Sequence, residues 1–181
     1  MPLMLIISLC QFSIYGPNIL FLQQRSGLNG KPFKIIKFRT MYEMQDSHGH
    51  QLSDNKRTTT FGKILRFSSL DELPNLINIL KNDMSLVGPR PFPVSYYHLM
   101  GAEYRKRYLV RPGITGLSQV KGRNSLSWKL RIRYDLEYVK QISFSGDLLI
   151  LLKTFRYLFS NKANQFLGDE SIDKFIPDFD Q

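Results

Sequence analysis

Gly16-Pro17 cuts short the most apolar stretch of this chain, and that break limits what the amino terminus can become. Leu3 to Tyr15 is apolar except for Ser8, Gln11 and Ser13. Roughly 13 residues make about 20 Å of helix, against a bilayer hydrocarbon core of about 30 Å. Gly16-Pro17 then breaks the helix, and Ile19 to Leu22 resumes the apolar character. No basic residue precedes the stretch, which argues against a secretory signal. Two readings stay open: an ordinary helix buried in protein, or a segment that enters a bilayer without crossing it. Nothing else in the chain is long and apolar enough to span.

Charge narrows the partners. Twenty-five Lys and Arg stand against 15 Asp and Glu, a formal net charge of +10, in a chain that is 43% hydrophobic. That hydrophobic share excludes wholesale disorder, and the positive excess suits nucleic acid, anionic lipid or a phosphorylated substrate. The single cysteine, Cys10, excludes an internal disulfide and offers no metal cluster. A length of 181 residues fits one domain with a real core.

Patterning gives an α+β chain, mainly helical with a short β-hairpin. Leu20–Gln24 and Phe33–Met41 have the composition of two strands, joined by the turn-forming Ser26-Gly27-Leu28-Asn29-Gly30. Glu43 to Thr60 is polar and predicts a long loop. A short helix is expected over Phe61–Phe67 with Thr59 or Thr60 as cap. A second runs over Leu70–Leu80 with Leu73, Leu76, Ile77 and Leu80 on one face, ended by Asn82-Asp83. Gly88-Pro89-Arg90-Pro91 predicts a rigid extended turn. Further helices are expected over Val94–Val110, Leu126–Val139 and Leu148–Phe159. An irregular loop lies between Pro112 and Arg123, and a polar tail follows Asn161.

The segment with most chemistry is Ser68-Ser69-Leu70-Asp71-Glu72-Leu73-Pro74. Carboxylates ahead of a proline mark a helix start. Ser69 and Glu72 have the spacing of a capping box, a purely structural use. A helix start also offers free N–H groups that favour bound phosphate and keep a nearby carboxylate ionised, as nucleophilic attack on phosphorus requires. Adjacent carboxylates can divide the work, one attacking while the other holds Mg²⁺ or handles a proton. Both readings of Asp71 and Glu72 stand.

A diphosphate substrate needs cations around it, and Lys37, Arg39, Arg66, Arg90, Arg111 and Arg123 are candidates. Arg90 is the best placed, because Pro89 and Pro91 fix its backbone and limit the entropy lost on clamping a phosphate. Other motifs are set aside. Asp178-Phe179-Asp180 lies in the tail, His48 and His50 beside Asp46 fall in a polar loop, and Cys10 reads as packing. There is no Walker sequence and no Gly-x-Gly-x-x-Gly.

Three longer blocks are more specific. They are Phe33-Lys34-Ile35-Ile36-Lys37-Phe38-Arg39-Thr40-Met41, then Asp71 to Leu80 continuing through Asp83 to Pro91, then Arg111 to Val120 with Gly122-Arg123-Asn124. Together, from about Gly16 to about Phe159, the chain resembles the small monotopic phosphoglycosyl transferases, bacterial sugar transferases that begin surface-glycan assembly. The resemblance implies that Asp71 attacks the β-phosphate of a UDP-sugar, releases UMP and passes the phosphosugar to polyprenyl (undecaprenyl) phosphate. It implies Glu72 as partner carboxylate and Mg²⁺ held at Asp71. Lys37, Arg66, Arg90, Arg123 and Asp135 fall at positions used in or around the family's active site, and Pro89-Arg90-Pro91 matches a segment associated with nucleotide and phosphate binding.

The same resemblance implies a monotopic protein on the cytoplasmic face of the bacterial inner membrane, with a re-entrant amino-terminal helix and interfacial amphipathic helices against anionic lipid. Members begin with a basic cluster and a further helical arm before a Ser-Pro break. Pro2 stands at that break here, so a shortened membrane segment is expected. The organisation is then residues 1–22 as membrane segment, 23–160 as catalytic domain and 161–181 as tail. Nucleic acid is not an expected partner. A basic membrane-surface or nucleic-acid module without chemistry, or an inactive truncated relative, are the alternatives. The choice of sugar and the oligomeric state are not written in these residues.

Overall fold

A computed structural model of the chain describes residues 2–122 and 126–158. Among the described residues helices dominate, with two small two-stranded sheets, the α+β class expected. The chain divides into two compact units: the first takes residues up to Gln23 with Ile35–Ile77, the second Gln24–Lys34 with the chain from Asn78 onward. Among the described residues no helix is long and apolar enough to cross a membrane.

The first unit begins with α1 (Pro2–Tyr15), which Gly16 ends in the left-handed region at φ 66°. Only Ile7 and Gln11 of this helix are buried. Ile7 joins Phe38 and Leu65 in a small core, with Phe61, Leu70 and Leu73 packed around it. Leu3, Leu5, Ile6, Leu9 and Phe12 remain exposed. The expected strands form as β1 (Leu20–Ser26) and β2 (Pro32–Phe38), which pair with each other. The polar segment after Met41 is loop except for one turn, α2 (Asp54–Arg57), where Asp54 Oδ1 accepts from Arg57 Nη2 at 2.7 Å.

Next comes α3 (Thr60–Ser68), capped as expected: the Thr59 hydroxyl accepts from Gly62 N at 2.9 Å. Gly62 is required by packing, since a Cβ there would lie 2.1 Å from the Thr40 carbonyl oxygen. The single helix expected over Leu70–Leu80 is instead a 3-10 segment, Leu70–Asn75, followed by α4 (Leu76–Leu80). Pro74 is the reason, because it has no N–H to donate back toward Leu70. The apolar face expected there is largely bare: Leu76, Ile77 and Leu80 are exposed.

The second unit holds a parallel pair that the sequence did not announce: β3 (Ser85–Val87) beside β4 (Gly113–Thr115), with Ser85 opposite Gly113 and Val87 opposite Thr115. Three residues are too few for an alternating pattern to show. The helix expected over Val94–Val110 is cut into α5 (Val94–Leu99), α6 (Ala102–Arg105) and a 3-10 turn, Lys106–Leu109. The interruption falls at Met100-Gly101, both in extended conformation. After β4 come α7 (Leu117–Lys121), α8 (Trp128–Lys140), capped by the Ser127 hydroxyl, and α9 (Phe144–Leu158). One core joins Phe92, Tyr96, Met100, Tyr108 and Ile132; another joins Val87, Tyr138 and Ile150. The tail expected beyond Asn161, with Asp178 and Asp180, lies outside the described residues.

Candidate active site

In the first unit, chemistry gathers at the 3-10 segment. Ser69 sits in the left-handed region at φ 57°, a conformation that costs a residue with a Cβ, immediately before Leu70 and Asp71. Its backbone N–H is spent on the carbonyls of Arg66 and Leu65, and its side chain makes no cap bond. The capping box allowed by the spacing of Ser69 and Glu72 is therefore not formed.

Glu72 turns elsewhere: Lys37 Nζ donates to its Oε1 at 2.6 Å, with both side chains largely buried. One residue along β2, Ile36 N donates to Asn75 Oδ1 at 2.9 Å. Two consecutive residues of β2 thus grip the segment that carries Asp71. Asp71 itself is 9% exposed. A buried carboxylate beside a charge-paired one, on a segment gripped through two of its side chains and strained at its start, is a preorganised arrangement rather than a solvated helix end.

Arg66, on α3, is directed at neighbours. Its Nε donates to Thr40 Oγ1 at 2.9 Å, and its Nη1 lies 3.7 Å from Asp54 Oδ2.

In the second unit, Arg90 is exposed while Gly88, Pro89 and Phe92 around it are buried. The turn is held carbonyl by carbonyl. Pro89 O accepts from Gly113 N at 3.1 Å, Arg90 O from Arg107 Nη2 at 2.7 Å, and Pro91 O from Arg25 Nη1 at 3.4 Å. Phe92 O accepts from Ser26 N at 2.9 Å. An exposed guanidinium on so fixed a backbone can meet a phosphate with little ordering cost.

Asp135 is not at the surface. It is 2% exposed, accepts from Arg107 Nη2 at 2.6 Å and from Ser118 Oγ at 2.8 Å, and burial pushes its carboxyl up against the opposing pull of Arg107. Asn75, Arg107 and Ser118 are the participants that residue-by-residue reading did not single out. Arg107 ends the basic run Arg105-Lys106-Arg107, whose members the sequence does not tell apart. Arg123 lies outside the described residues.

A divalent cation has a chemically suitable donor in Asp71. Mg²⁺ is commonly held by one or two carboxylates together with substrate phosphates, so a full protein cage is not required. Among the described residues no group of three or more His, Cys, Asp or Glu could form such a cage.

The family model for bacterial sugar transferases matches residues 1–161. The chain belongs to that family. This transferase is 43% identical over 160 residues to the uncharacterized sugar transferase EpsL of Bacillus subtilis (strain 168), covering 88% of this chain and 79% of that one. It is 42% identical to a UDP-glucose:undecaprenyl-phosphate glucose-1-phosphate transferase of Caulobacter vibrioides, over 84% of this chain and 61% of the relative. It is 38% identical to a UDP-N-acetylgalactosamine-undecaprenyl-phosphate N-acetylgalactosaminephosphotransferase of Aeromonas hydrophila, over 86% of this chain and only 38% of that protein. The transferase is thus an enzyme of the phosphoglycosyl transferase kind, as its three sequence blocks led us to expect.

Proposed function

We propose that the transferase moves a sugar 1-phosphate from a UDP-sugar to polyprenyl (undecaprenyl) phosphate, with Asp71 as nucleophile. The observation that carries this reading is the Lys37 to Glu72 bond of 2.6 Å beside a nearly enclosed Asp71. It takes that Glu out of the capping-box role and fixes one of the two adjacent carboxylates. The activities for which the Caulobacter and Aeromonas relatives are named supply the substrate class.

In the first step an Asp71 carboxylate oxygen attacks the β-phosphorus. The bond from that phosphorus to the bridging oxygen breaks, and the electron pair leaves with UMP. An acyl phosphate carrying the sugar remains on Asp71. A phosphate oxygen of the polyprenyl phosphate then attacks the same phosphorus, forming the diphosphate-linked lipid and releasing the Asp71 carboxylate. Glu72 is the partner carboxylate, and Lys37 fixes its direction and offsets its charge. Arg90 offers a cation to the nucleotide's phosphates. Mg²⁺, held at Asp71, would supply charge neutralisation on the phosphates.

The lipid substrate requires work at a membrane surface, and the cytoplasmic face of the inner membrane is the proposed place. In support, α1 exposes Leu5, Ile6, Leu9 and Phe12, and α9 exposes Leu148, Leu149, Leu152 and Phe155 on a helix that also carries Lys153 and Arg156. Formation of the lipid-linked phosphosugar would be the first membrane step of a surface polysaccharide or glycoprotein glycan.

The test is UMP release from a panel of UDP-sugars with Mg²⁺ and undecaprenyl phosphate. Asp71→Asn should abolish it, by about 10³-fold or more. Undiminished release in that variant would remove Asp71 as nucleophile.

A further inference from the structure

Four consecutive carbonyls, from Pro89 to Phe92, each accept a hydrogen bond from a different residue of the second unit, and the Arg90 carbonyl is the one held by a side chain that is itself buried. That side chain is Arg107, 1% exposed. Its Nε and Nη2 both donate to Asp135 Oδ2, at 3.1 and 2.6 Å, and Nη2 also donates to Arg90 O at 2.7 Å. Ser118 Oγ holds the other Asp135 oxygen at 2.8 Å. The guanidinium lies over the Phe92 ring, 3.7 Å from its centroid.

A buried ion pair is a poor way to gain stability, because desolvating two charges offsets most of their attraction. What it does supply is direction. A planar guanidinium, fixed by one carboxylate and stacked on an aromatic ring, can hold a second acceptor only where its plane allows. The second acceptor here is the backbone of the one exposed arginine in the Pro-Arg-Pro turn.

We propose that Arg107, oriented by Asp135 and Ser118, is a positioning residue that sets the backbone of Arg90 and thereby the direction in which Arg90 meets the diphosphate of a uridine nucleotide. This rests on the reading of Arg90 as a phosphate-binding residue. Asp135, expected among the substrate-binding residues, then acts at second hand, through Arg107.

Equilibrium titration of the full-length protein with UDP and Mg²⁺ tests it as a cycle. Arg90→Ala should weaken UDP by roughly tenfold to a hundredfold. Arg107→Lys keeps the charge opposite Asp135 but loses the plane, and should weaken UDP by roughly threefold to tenfold. In the Arg90→Ala background the Arg107 substitution should cost nothing further. Should Arg107→Lys fail to fold, Arg107→Met with Asp135→Leu replaces the pair by apolar groups and gives the same reading.

An equal loss of UDP affinity with and without Arg90 would show a merely structural pair and overturn the proposal. If Arg90→Ala leaves UDP affinity unchanged, the phosphate-binding reading of Arg90 falls and the positioning falls with it. The UMP-release test of Asp71 is independent of both results.

Discussion

Lys37 Nζ lies 2.6 Å from Glu72 Oε1, a bond between residues 35 positions apart that joins the end of a strand to the segment bearing Asp71. The Lys37 and Glu72 side chains are 19% and 15% exposed, so the pair is partly shielded from water without being sealed. Its strength as a stabilising contact is modest, about 1 kcal/mol. Its chemical value is larger, because it fixes where one of two adjacent carboxylates points.

Lys37→Met should therefore separate stability from activity. Chemical denaturation should show a loss of about 1 kcal/mol, while UMP release falls on the order of a hundredfold. A variant that loses stability but keeps its rate would make the pair a strut and nothing more.

The local conformation at Ser69 gives a second contrast. If its hydroxyl capped the segment, Ser69→Ala would cost about 1 kcal/mol. With no cap bond made by that side chain, the expected change in urea unfolding is within about 0.5 kcal/mol. Ser69→Gly should be stabilising, by up to about 1 kcal/mol, since glycine adopts φ 57° without the Cβ clash. A large loss in the alanine variant would restore the capping-box reading.

These residues show what a sequence of this kind makes legible. A threonine cap of α3, expected at Thr59 or Thr60 and found at Thr59, the two strands and the apolar α1 follow from local rules, so local patterning found them. The 3-10 form of Leu70–Asn75 was in principle visible, because Pro74 cannot donate a helical bond; the apolar spacing concealed it. Gly101 gave a similar signal within the helix expected over Val94–Val110. The rest is long-range. Arg107 meets Asp135 across 28 positions, and nothing in an Arg-Lys-Arg run says which member turns inward. The parallel partners β3 and β4 are three residues each, below the length at which periodicity speaks. Long blocks resembling a known family located Asp71 and Glu72, and the structure adds what holds Glu72.

The exposed side of α1 gives the last prediction. Leu5 and Leu9, one helical turn apart, are 64% and 62% exposed, so neither is needed by the core around Ile7. In water such a row is a liability, and against lipid it is an anchor: burying each leucine is favourable by about 1.5–3 kcal/mol. Leu5→Gln with Leu9→Gln should then leave the unfolding midpoint unchanged and weaken flotation with anionic phospholipid vesicles on the order of a hundredfold or more. The positive charge of the chain should make the residual binding salt-sensitive, since attraction of Lys and Arg to anionic headgroups is screened within about 10 Å at 0.1 M salt. Flotation of the double variant at the unsubstituted level would mean that α1 does not enter lipid, and the membrane attachment would have to come from other exposed apolar residues.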